Sequence, residues 1–387
     1  MFQDKYVFVQ LTAFLNRTQF NNYVRKYDGN RYVKHFTCWN QLLAMMFGQL
    51  SYRESLRDLI VALEAHRATQ YHLGLGRNTI VKATLAYANQ TRDYRIFEDF
   101  AFYMMKEACK KRETSILNIP GKKYAFDSTT IPLCLATFPW AKFRSKKGGV
   151  KAHVLYDVEA QVPAFYTVTT ASKHDSTAMS SITYEPNSYY IFDRAYDTFK
   201  ELYKIHLTGS YYVVRAKTNL KYKMVKWKRR MPKNVLTDAE VKLTGYLSEK
   251  KYPESFRFIR YYDEEDDCEF TFLTNAKHLS ALDVANLYKK RWLVELFFKW
   301  LKQHLNIKRF WGTTKNAVRI QISVAIITYC LVAIVHHDMQ LKRSTYEVLQ
   351  ILSISLTDKT RLRDLFDKTI FNDVKELDYP LFKGLFD

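Results

Sequence analysis

The spacing of apolar residues changes twice along the chain, and each change predicts a boundary in the fold. Residues 1 to about 115 repeat apolar side chains every three or four positions, which indicates helices. At about Gly121 the spacing becomes alternating, as in strands, and from Ser280 to about Gln340 the helical spacing returns. With 387 residues, 47% of them apolar, the chain can build a sizeable core around these regions.

The β-rich region contains four runs with strand character: KYAFDSTTIPLCL, VKAHVLYDV, VPAFYTVTTA and SYYIFDRAY. The segment between the third and fourth runs can form a short helix, and a helical pattern follows the fourth. Three successive strands, a helical crossover and a fourth strand predict a mixed sheet with helices packed on it. This arrangement resembles an RNase H-like core, so we expect an α/β (α+β) fold.

Five segments follow from these patterns. They are an all-helical N-terminal domain (1–115), the first part of the RNase H-like core (120–209), a β-rich insertion (210–277), the second part of the core (278–340) and a C-terminal helical tail (341–387). Within the insertion, the acidic run from Asp263 to Asp267 separates two alternating segments and predicts a solvated hairpin tip.

The composition indicates a polyanionic partner and a reducing compartment. The chain has 60 Lys and Arg against 39 Asp and Glu, which gives a net charge of +21. Its five cysteines lack zinc spacing, and its N-terminus lacks a secretory signal. The most apolar run, Ile320 to Val335, is shorter than the roughly 20 residues of a membrane helix. We therefore expect a buried core helix there, no membrane association and a cytoplasmic location.

The segment from Ser280 to Leu305 is predicted as one long helix that begins at a Ser-x-x-Asp cap. At about 100° per residue, five of its polar side chains fall within a stripe about 80° wide. They are Tyr288, Arg291, Glu295, Lys299 and Lys302. Such a stripe is often only a solvated helix face. A carboxylate amid cations can instead help to hold a divalent metal while the cations bind phosphate oxygens.

Two aspartates supply the carboxylates that such a site would still need. Asp127 lies inside an otherwise apolar strand, in the sequence FDSTT, and Asp193 ends another strand, in IFDRAYD. A carboxylate with buried neighbours is costly unless it is paired or bound to a metal. Asp127, Asp193 and Glu295 are therefore candidate metal ligands.

The spacing of these residues resembles that of a known family. The residues from Tyr288 to Lys302 match the signature Y-x2-R-x3-E-x6-K of DDE transposases of the insertion-sequence-4 family. Asp127 in the context DST and Asp193 in the context DRAY complete the resemblance. It extends over the whole chain, because such transposases also carry a β insertion before the glutamate.

The resemblance implies a transposase that cleaves transposon ends and transfers the strands into target DNA by in-line transesterification. Asp127, Asp193 and Glu295 would be the catalytic residues. They would hold two Mg²⁺ ions, for which Mn²⁺ would substitute. The ions would activate the attacking water or 3′-hydroxyl and stabilise the leaving oxygen, without a covalent protein intermediate.

The resemblance also implies DNA contacts from the stripe. Arg291 would make a bidentate phosphate contact, and Lys299 and Lys302 would add positive charge. Tyr288 would hydrogen-bond or stack beside the cleaved strand.

His174 and Asp175 resemble a His-Asp pair that recurs at this place in relatives. On this interpretation they would lie behind the metal ligands. A helix that begins here, capped by Asp175, explains them equally well.

Two basic clusters, KFRSKKGGVK and KTNLKYKMVKWKRR, are candidates to follow the DNA backbone. Their candidate DNA-binding residues are Lys146, Lys147 and Lys151 in the first, and Lys226, Lys228, Arg229 and Arg230 in the second. Solvated surface is the alternative for both clusters. Trp227, within the second, either stacks on a base or anchors the core of the insertion.

The N-terminal domain is predicted to bind the terminal inverted repeats of the element. Its helical segments carry the basic residues Arg77, Lys82, Arg92, Lys110 and Lys111. A dimerisation or packing domain is the alternative. The family implies double-stranded DNA as the partner, both ends and target, and a homodimer on that DNA. Two other functions stay open: a non-enzymatic, basic DNA-binding repressor, and a structure-specific nuclease on the same fold.

Overall fold

The N-terminal part of the chain folds into helices, as its apolar spacing predicts. The computed structural model describes residues 5–112, 117–196, 198–265, 267–305, 307 and 309–367. The N-terminal helices are α1 (Val7–Thr12), α2 (Arg17–Lys26), α3 (Cys38–Leu50), α4 (Leu56–Ala65), α5 (Lys82–Thr91) and α6 (Arg95–Lys111). Thr37 and Ser55 begin α3 and α4 with reciprocal side-chain caps, which satisfy backbone N–H groups that the helix itself leaves unpaired.

The predicted mixed sheet is present. Its elements, in chain order, are β1 (Lys123–Leu133), β2 (Lys142–Arg144), β3 (Lys147–Asp157), β4 (Val162–Thr170), α7 (Asp175–Ala178), β5 (Tyr189–Phe192), α8 (Phe199–Leu207) and β6 (Tyr211–Arg215). Strand β1 pairs antiparallel with β3 and parallel with β5, and β5 pairs parallel with β6. Three antiparallel strands followed by two parallel ones form the RNase H-like core.

The insertion continues this sheet instead of forming a separate one. Its elements are β7 (Tyr222–Trp227), β8 (Val235–Leu243), α9 (Tyr246–Lys251), β9 (Phe256–Asp263) and β10 (Cys268–Thr274). Strand β10 pairs antiparallel with β6, and β9, β8 and β7 follow in order toward the edge. Although β6 lies within the predicted 210–277 insertion, its parallel pairing with β5 makes it a strand of the core.

The closing segment contains α10 (Ala281–Lys289), α11 (Trp292–His304), α12 (Lys315–Asp338), α13 (Thr345–Ser355) and α14 (Leu362–Leu365). The prediction of one long helix from Ser280 to Leu305 is wrong, because the helix breaks at Lys290–Arg291. The backbone N–H groups of Arg291, Leu293 and Val294 each donate to the carbonyl three residues earlier. This tightened turn is typical of functional junctions within helices. The part of the predicted tail beyond residue 367 lies outside the described residues.

The sheet separates two hydrophobic cores, and β1 contributes to both. Ala125 and Ile131 pack in the larger core, while Tyr124 and Phe126 pack in the smaller one. Because side chains alternate along a strand, Asp127 lies on the face of Ala125 and Ile131. That face is covered by α11, so the fold directs Asp127 toward the helix of the predicted signature.

Helix α12 lies at the centre of the larger core. It is long and apolar enough to cross a membrane by composition, but 94% of its most apolar stretch is buried inside the fold. The buried core helix predicted at Ile320 to Val335 is confirmed, although the helix is longer than that run. Helix α6 packs on α12 and on β4, so the N-terminal helices share this core with the sheet.

Candidate active site

The two aspartates come together because their strands are neighbours. The parallel register of β1 and β5 pairs Phe126 with Phe192 as its last partners. The next residue after each is an aspartate: Asp127 within β1, and Asp193 directly after the end of β5. Adjacent strands lie about 4.8 Å apart, so the register alone places the two carboxylates side by side.

The third acid reaches this place from the first turn of α11. Arg291, at the α10–α11 junction, donates from one terminal nitrogen to Asp127 Oδ2 at 3.0 Å and from the other to Glu295 Oε1 at 2.6 Å. The guanidinium thus joins a strand carboxylate to a helix carboxylate. The three side chains are partly buried, with 15% of Arg291, 19% of Asp127 and 33% of Glu295 exposed.

Tyr288 ties the remaining acid to the same junction. Its hydroxyl donates to Asp193 Oδ1 at 3.2 Å, and the Arg291 guanidinium lies 5.6 Å from the centre of its ring. The ring itself packs on Phe272 of β10, with the centroids 4.8 Å apart. Each predicted acid therefore contacts one of two signature residues: Asp193 contacts Tyr288, and Asp127 and Glu295 contact Arg291, three positions further on.

Burial of the Asp127 carboxylate outweighs the positive charge of Arg291 beside it. It raises the pKa of Asp127 to about 6, even though a hydrogen bond from the Ser128 backbone and the charge of Arg291 act in the opposite direction. Glu295 and Asp193 raise this pKa further because they are negative neighbours. Burial also raises the pKa of Tyr288 to about 12, so its hydroxyl stays protonated and remains a donor.

The residues suit a divalent metal by their chemistry, although not in their present contacts. Carboxylate oxygens are the ligands that Mg²⁺ and Mn²⁺ prefer, and a buried acid with a raised pKa is stabilised by a nearby cation. Within the described part of the chain, no three acidic, His or Cys side chains are grouped closely enough to hold an ion. Arg291 lies between Asp127 and Glu295 and makes the contacts that a cation would make.

The other predicted DNA contacts lie mostly on the surface. Lys299 is exposed one turn beyond Glu295, and Lys302 is partly buried. Of the other predicted DNA-binding residues, six are exposed: Lys146 and Lys147 at the β2–β3 turn, and Lys226, Lys228, Arg229 and Arg230 at the end of β7 and beyond it. Trp227 is 65% exposed, so it does not anchor the core of the insertion.

Two of the predicted DNA-binding lysines already have acidic partners. Lys151 pairs with Asp175 at 3.0 Å and is mostly buried, and Lys228 pairs with Asp238 at 2.9 Å. These ion pairs explain the positions of both lysine side chains without DNA. A DNA contact from either lysine stays a prediction.

His174 caps helix α7, whereas Asp175 contacts the strand that carries Asp127. The backbone N–H of Ser176 donates to His174 Nδ1 at 3.4 Å, so the cap of α7 is His174 and the expected Asp175 cap is wrong. Asp175 instead accepts from Ser128 Oγ at 2.7 Å and from Lys151. Ser128 follows Asp127 on β1 and faces the other side of the sheet. Asp175 thus holds the strand that carries Asp127 without lying beside its carboxylate.

Sequence reasoning missed the contribution of the insertion to this site. A cavity of about 400 Å³ opens beside Tyr288 and Arg291, and its other walls include Arg215, Phe270 and Trp292. The alternation of Phe270 and Phe272 along β10 was a usable signal for one apolar face. No signal in the sequence linked that face to the signature helix.

The acidic run also differs from its prediction in one respect. Its described residues lie at the end of β9 and before β10, but Asp263 is buried and pairs with Lys289 of α10 at 3.0 Å. The first acid of the run is therefore a packing contact, not part of a solvated tip.

Comparison with known proteins assigns the fold to a class. The model of a family described as "Transposase DDE domain" matches residues 120–331, and a domain of unknown function, DUF4372, matches residues 3–76. The piggyBac transposase, in a synaptic complex with hairpin DNA, superposes with a TM-score of 0.50 at 11% identity, covering 96% of this chain and 83% of that one. At such low identity this likeness shows the fold alone, an RNase H-like core.

Relatives from insertion sequences define the family more narrowly. A protein of Sinorhizobium fredii named as a transposase is 33% identical over 244 residues, covering 62% of this chain and 67% of the relative. A transposase named for element IS5377 of Geobacillus stearothermophilus is 30% identical over 246 residues, covering 63% and 64%. One named for element IS4SA of Synechocystis is 24% identical over 297 residues, covering 74% and 81%. The chain thus spans about two thirds of the length of the first two relatives.

The chain belongs to the family of transposases with a DDE domain, of the insertion-sequence-4 type. The resemblance found in the sequence signature is confirmed.

Proposed function

We propose that this protein cleaves the ends of a transposable element and transfers the strands into target DNA. Asp127, Asp193 and Glu295 are its catalytic residues. One observation carries the proposal: three acids from β1, β5 and α11 meet at the α10–α11 junction through Arg291 and Tyr288. Three partly buried carboxylates joined through two neighbouring side chains are costly for stability unless they are paired or bind a metal.

The metal ions of this reaction would be held by the same three carboxylates, two Mg²⁺ ions with Mn²⁺ as a substitute. When bound, such ions supply Lewis-acid activation of the attacking oxygen and stabilise the leaving oxygen. The chain itself binds and orients the DNA. Arg291 and the exposed Lys299 bind phosphate oxygens next to the cleaved bond, Lys302 adds charge, and Tyr288 hydrogen-bonds beside that strand.

The N-terminal helices are the proposed site of end recognition. They surround a cavity of about 830 Å³ whose rim carries Arg31, Lys34, His35 and Arg77. Arg31 and Arg77 stack on the exposed tyrosines beside them, which leaves cations and aromatic faces together on one surface. Lys111, in contrast, pairs with Asp338 of α12 and is accounted for by packing. Since a transposase must hold two ends, the proposal includes a homodimer on DNA.

Cleavage of a plasmid that carries the inverted repeats flanking the coding region tests the proposal. Asp127→Asn, Asp193→Asn and Glu295→Gln should each lower the cleavage rate on the order of 10³-fold, equivalent to about 4 kcal/mol of activation free energy. Binding to the ends, measured by gel shift, should stay within a few-fold of wild type. Undiminished cleavage by any variant removes that residue from the site. Hydrolysis without strand transfer would indicate a nuclease, and binding without any cleavage would indicate a repressor.

End recognition needs a test on the full chain, because α6 shares its core with α12 and residues 1–115 are not a self-contained unit. Arg77→Ala and Lys34→Ala should reduce the preference for end sequence over random duplex. An unchanged preference would favour a packing or dimerisation role for this region.

A further inference from the structure

A second role of Arg291 rests on the proposed metal-dependent function of the site. This arginine does not point at solvent. Its two terminal nitrogens are both engaged, one by Asp127 and one by Glu295. Its Nε is buried, and no hydrogen-bond partner for it is found among the described residues. The two carboxylates therefore fix the position of the guanidinium, and its Nε does not contribute a further hydrogen bond among the described residues.

The arginine and a metal ion would compete for the same oxygens. The contacts use Asp127 Oδ2 and Glu295 Oε1, two atoms that the proposed function assigns to metal binding. A divalent ion binds carboxylate oxygens at about 2.1 Å and carries two charges, so it cannot approach them closely while a guanidinium lies between them.

The position of Arg291 would also let its guanidinium bind a DNA phosphate. It lies at the tightened turn between α10 and α11, where the regular helical hydrogen bonds are interrupted. The cavity of about 400 Å³ beside it has Arg215 on its wall, together with the ion pair of Lys289 and Asp263. Arg215 is the cation there that would attract an anion. A phosphate diester offers the planar, bidentate acceptor geometry that a guanidinium binds best.

We propose that Arg291 is an internal counter-ion that keeps divalent metal out of the acidic site until a DNA phosphate draws its guanidinium away. Metal binding and DNA binding are then coupled, and by linkage each strengthens the other by the same factor. The protein loads metal only when substrate is present.

Calorimetric titration of the full chain with Mn²⁺, in the absence of DNA, tests the competition. Arg291→Met should bind Mn²⁺ at least tenfold more tightly than wild type, because methionine keeps the unbranched apolar stem of arginine but has no charge to compete with the ion. Arg260→Met is the matched control: Arg260 pairs with Glu269 at 2.6 Å on the surface of the insertion, so this variant loses the same charge and the same kind of contact. Its Mn²⁺ affinity should equal that of wild type.

Two further variants keep the test interpretable. Arg291→Lys retains a charge but reaches one carboxylate at a time, so it should fold like wild type and bind Mn²⁺ with intermediate affinity. Adding Asp127→Asn to Arg291→Met should abolish the gain, which shows that the ion is bound at the acidic site.

The coupling is tested by the same titration with a pre-cleaved duplex of the element end that lacks its 3′-hydroxyl, so it cannot react. Wild type should then gain tenfold or more in Mn²⁺ affinity, and Arg291→Met should gain little. Equal Mn²⁺ affinities of wild type, Arg291→Met and Arg291→Lys without DNA would overturn the inference while leaving the proposed function intact. Absence of Mn²⁺ binding from every variant, with or without DNA, would instead overturn the metal-dependent function and the inference with it.

Discussion

Arg257 and Arg291 each bind an aspartate away from the fully exposed surface, and the two arrangements differ in a way that separates packing from function. In the insertion, Arg257 binds both oxygens of Asp238 with its Nε and one terminal nitrogen, at 2.6 and 2.7 Å. Both side chains are 6% exposed, and the other terminal nitrogen donates to the backbone carbonyl of Leu279. Arg291 instead divides its nitrogens between two acids on different elements and leaves its Nε without a partner among the described residues.

The acids respond in opposite directions. Burial disfavours the charged form of Asp238, but hydrogen bonds from Arg257 and Lys228 outweigh it and hold the pKa of this carboxyl below its usual value. Burial raises the pKa of Asp127 to about 6 in spite of Arg291. A complete ion pair therefore serves the fold, whereas an acid left short of positive charge is available to a ligand.

The largest expected difference between the two sites is in catalysis. Asp127→Asn should lower end cleavage on the order of 10³-fold, and Asp238→Asn should leave the rate per folded molecule within a few-fold of wild type. Plasmid cleavage at equal concentrations of folded protein measures both. A comparable loss in Asp238→Asn would mean that the insertion takes part in the reaction.

The free energy of unfolding should depend more on the Arg257 site than on the Arg291 site. Arg257→Met leaves a buried carboxylate with only the exposed Lys228 as a cation, and should lower the free energy of unfolding by about 3 kcal/mol. Arg291→Met acts on a more exposed pair and should cost about 1 kcal/mol. Urea unfolding followed by circular dichroism measures both. If the two losses were equal, Arg291 would be as much a packing residue as Arg257.

The pH dependence of stability should have opposite sign at the two acids. Because the pKa of Asp127 is higher in the folded protein than in the unfolded chain, its contribution is most favourable below about pH 4 and is lost as the pH rises through 6. Asp127→Asn should therefore gain stability relative to wild type between pH 4 and 7, by about 1 to 2 kcal/mol.

Asp238 provides the comparison, in metal-free buffer. Its pKa is lowered by folding, so its contribution is present above its ordinary pKa and is lost as the pH falls below about 4. Asp238→Asn should lose stability relative to wild type at neutral pH and approach it in acid. The same sign for both variants would contradict the distinction between the sites.

The smallest expected effect concerns the exposed cations of α11. If Lys299 binds one phosphate, Lys299→Ala should reduce the salt slope of DNA binding, the change of log K with log salt, by about 0.9. Arg260→Ala, on the surface of the insertion, should leave the slope unchanged. Fluorescence anisotropy at several salt concentrations distinguishes the two.

The sequence predicted which residues come together better than it predicted the local structure around them. Asp127 and Asp193 were recognisable because each is an acid in or at the end of an apolar strand, and Glu295 because its spacing from Tyr288 and Arg291 matches a signature. The break at Lys290–Arg291 was invisible, since the apolar period continues through a tightened turn. The engagement of Arg291 with the acids depends on the distance between α11 and β1, which no local pattern encodes.

The same limit explains the other differences. Asp263 and Lys151 read as surface charges because their partners, Lys289 and Asp175, lie on other elements. Likewise β6 was assigned to the insertion, because a strand in isolation does not indicate which neighbour it pairs with.

The most direct test of the central claim is a change of metal preference at one acid. Mn²⁺ accepts a sulfur ligand more readily than Mg²⁺ does, since a thiolate is a softer ligand than a carboxylate. Asp193→Cys should therefore cut transposon ends with Mn²⁺ while losing cleavage with Mg²⁺. Cleavage by this variant in Mg²⁺ at the wild-type rate would show that Asp193 is not a metal ligand and would contradict the account.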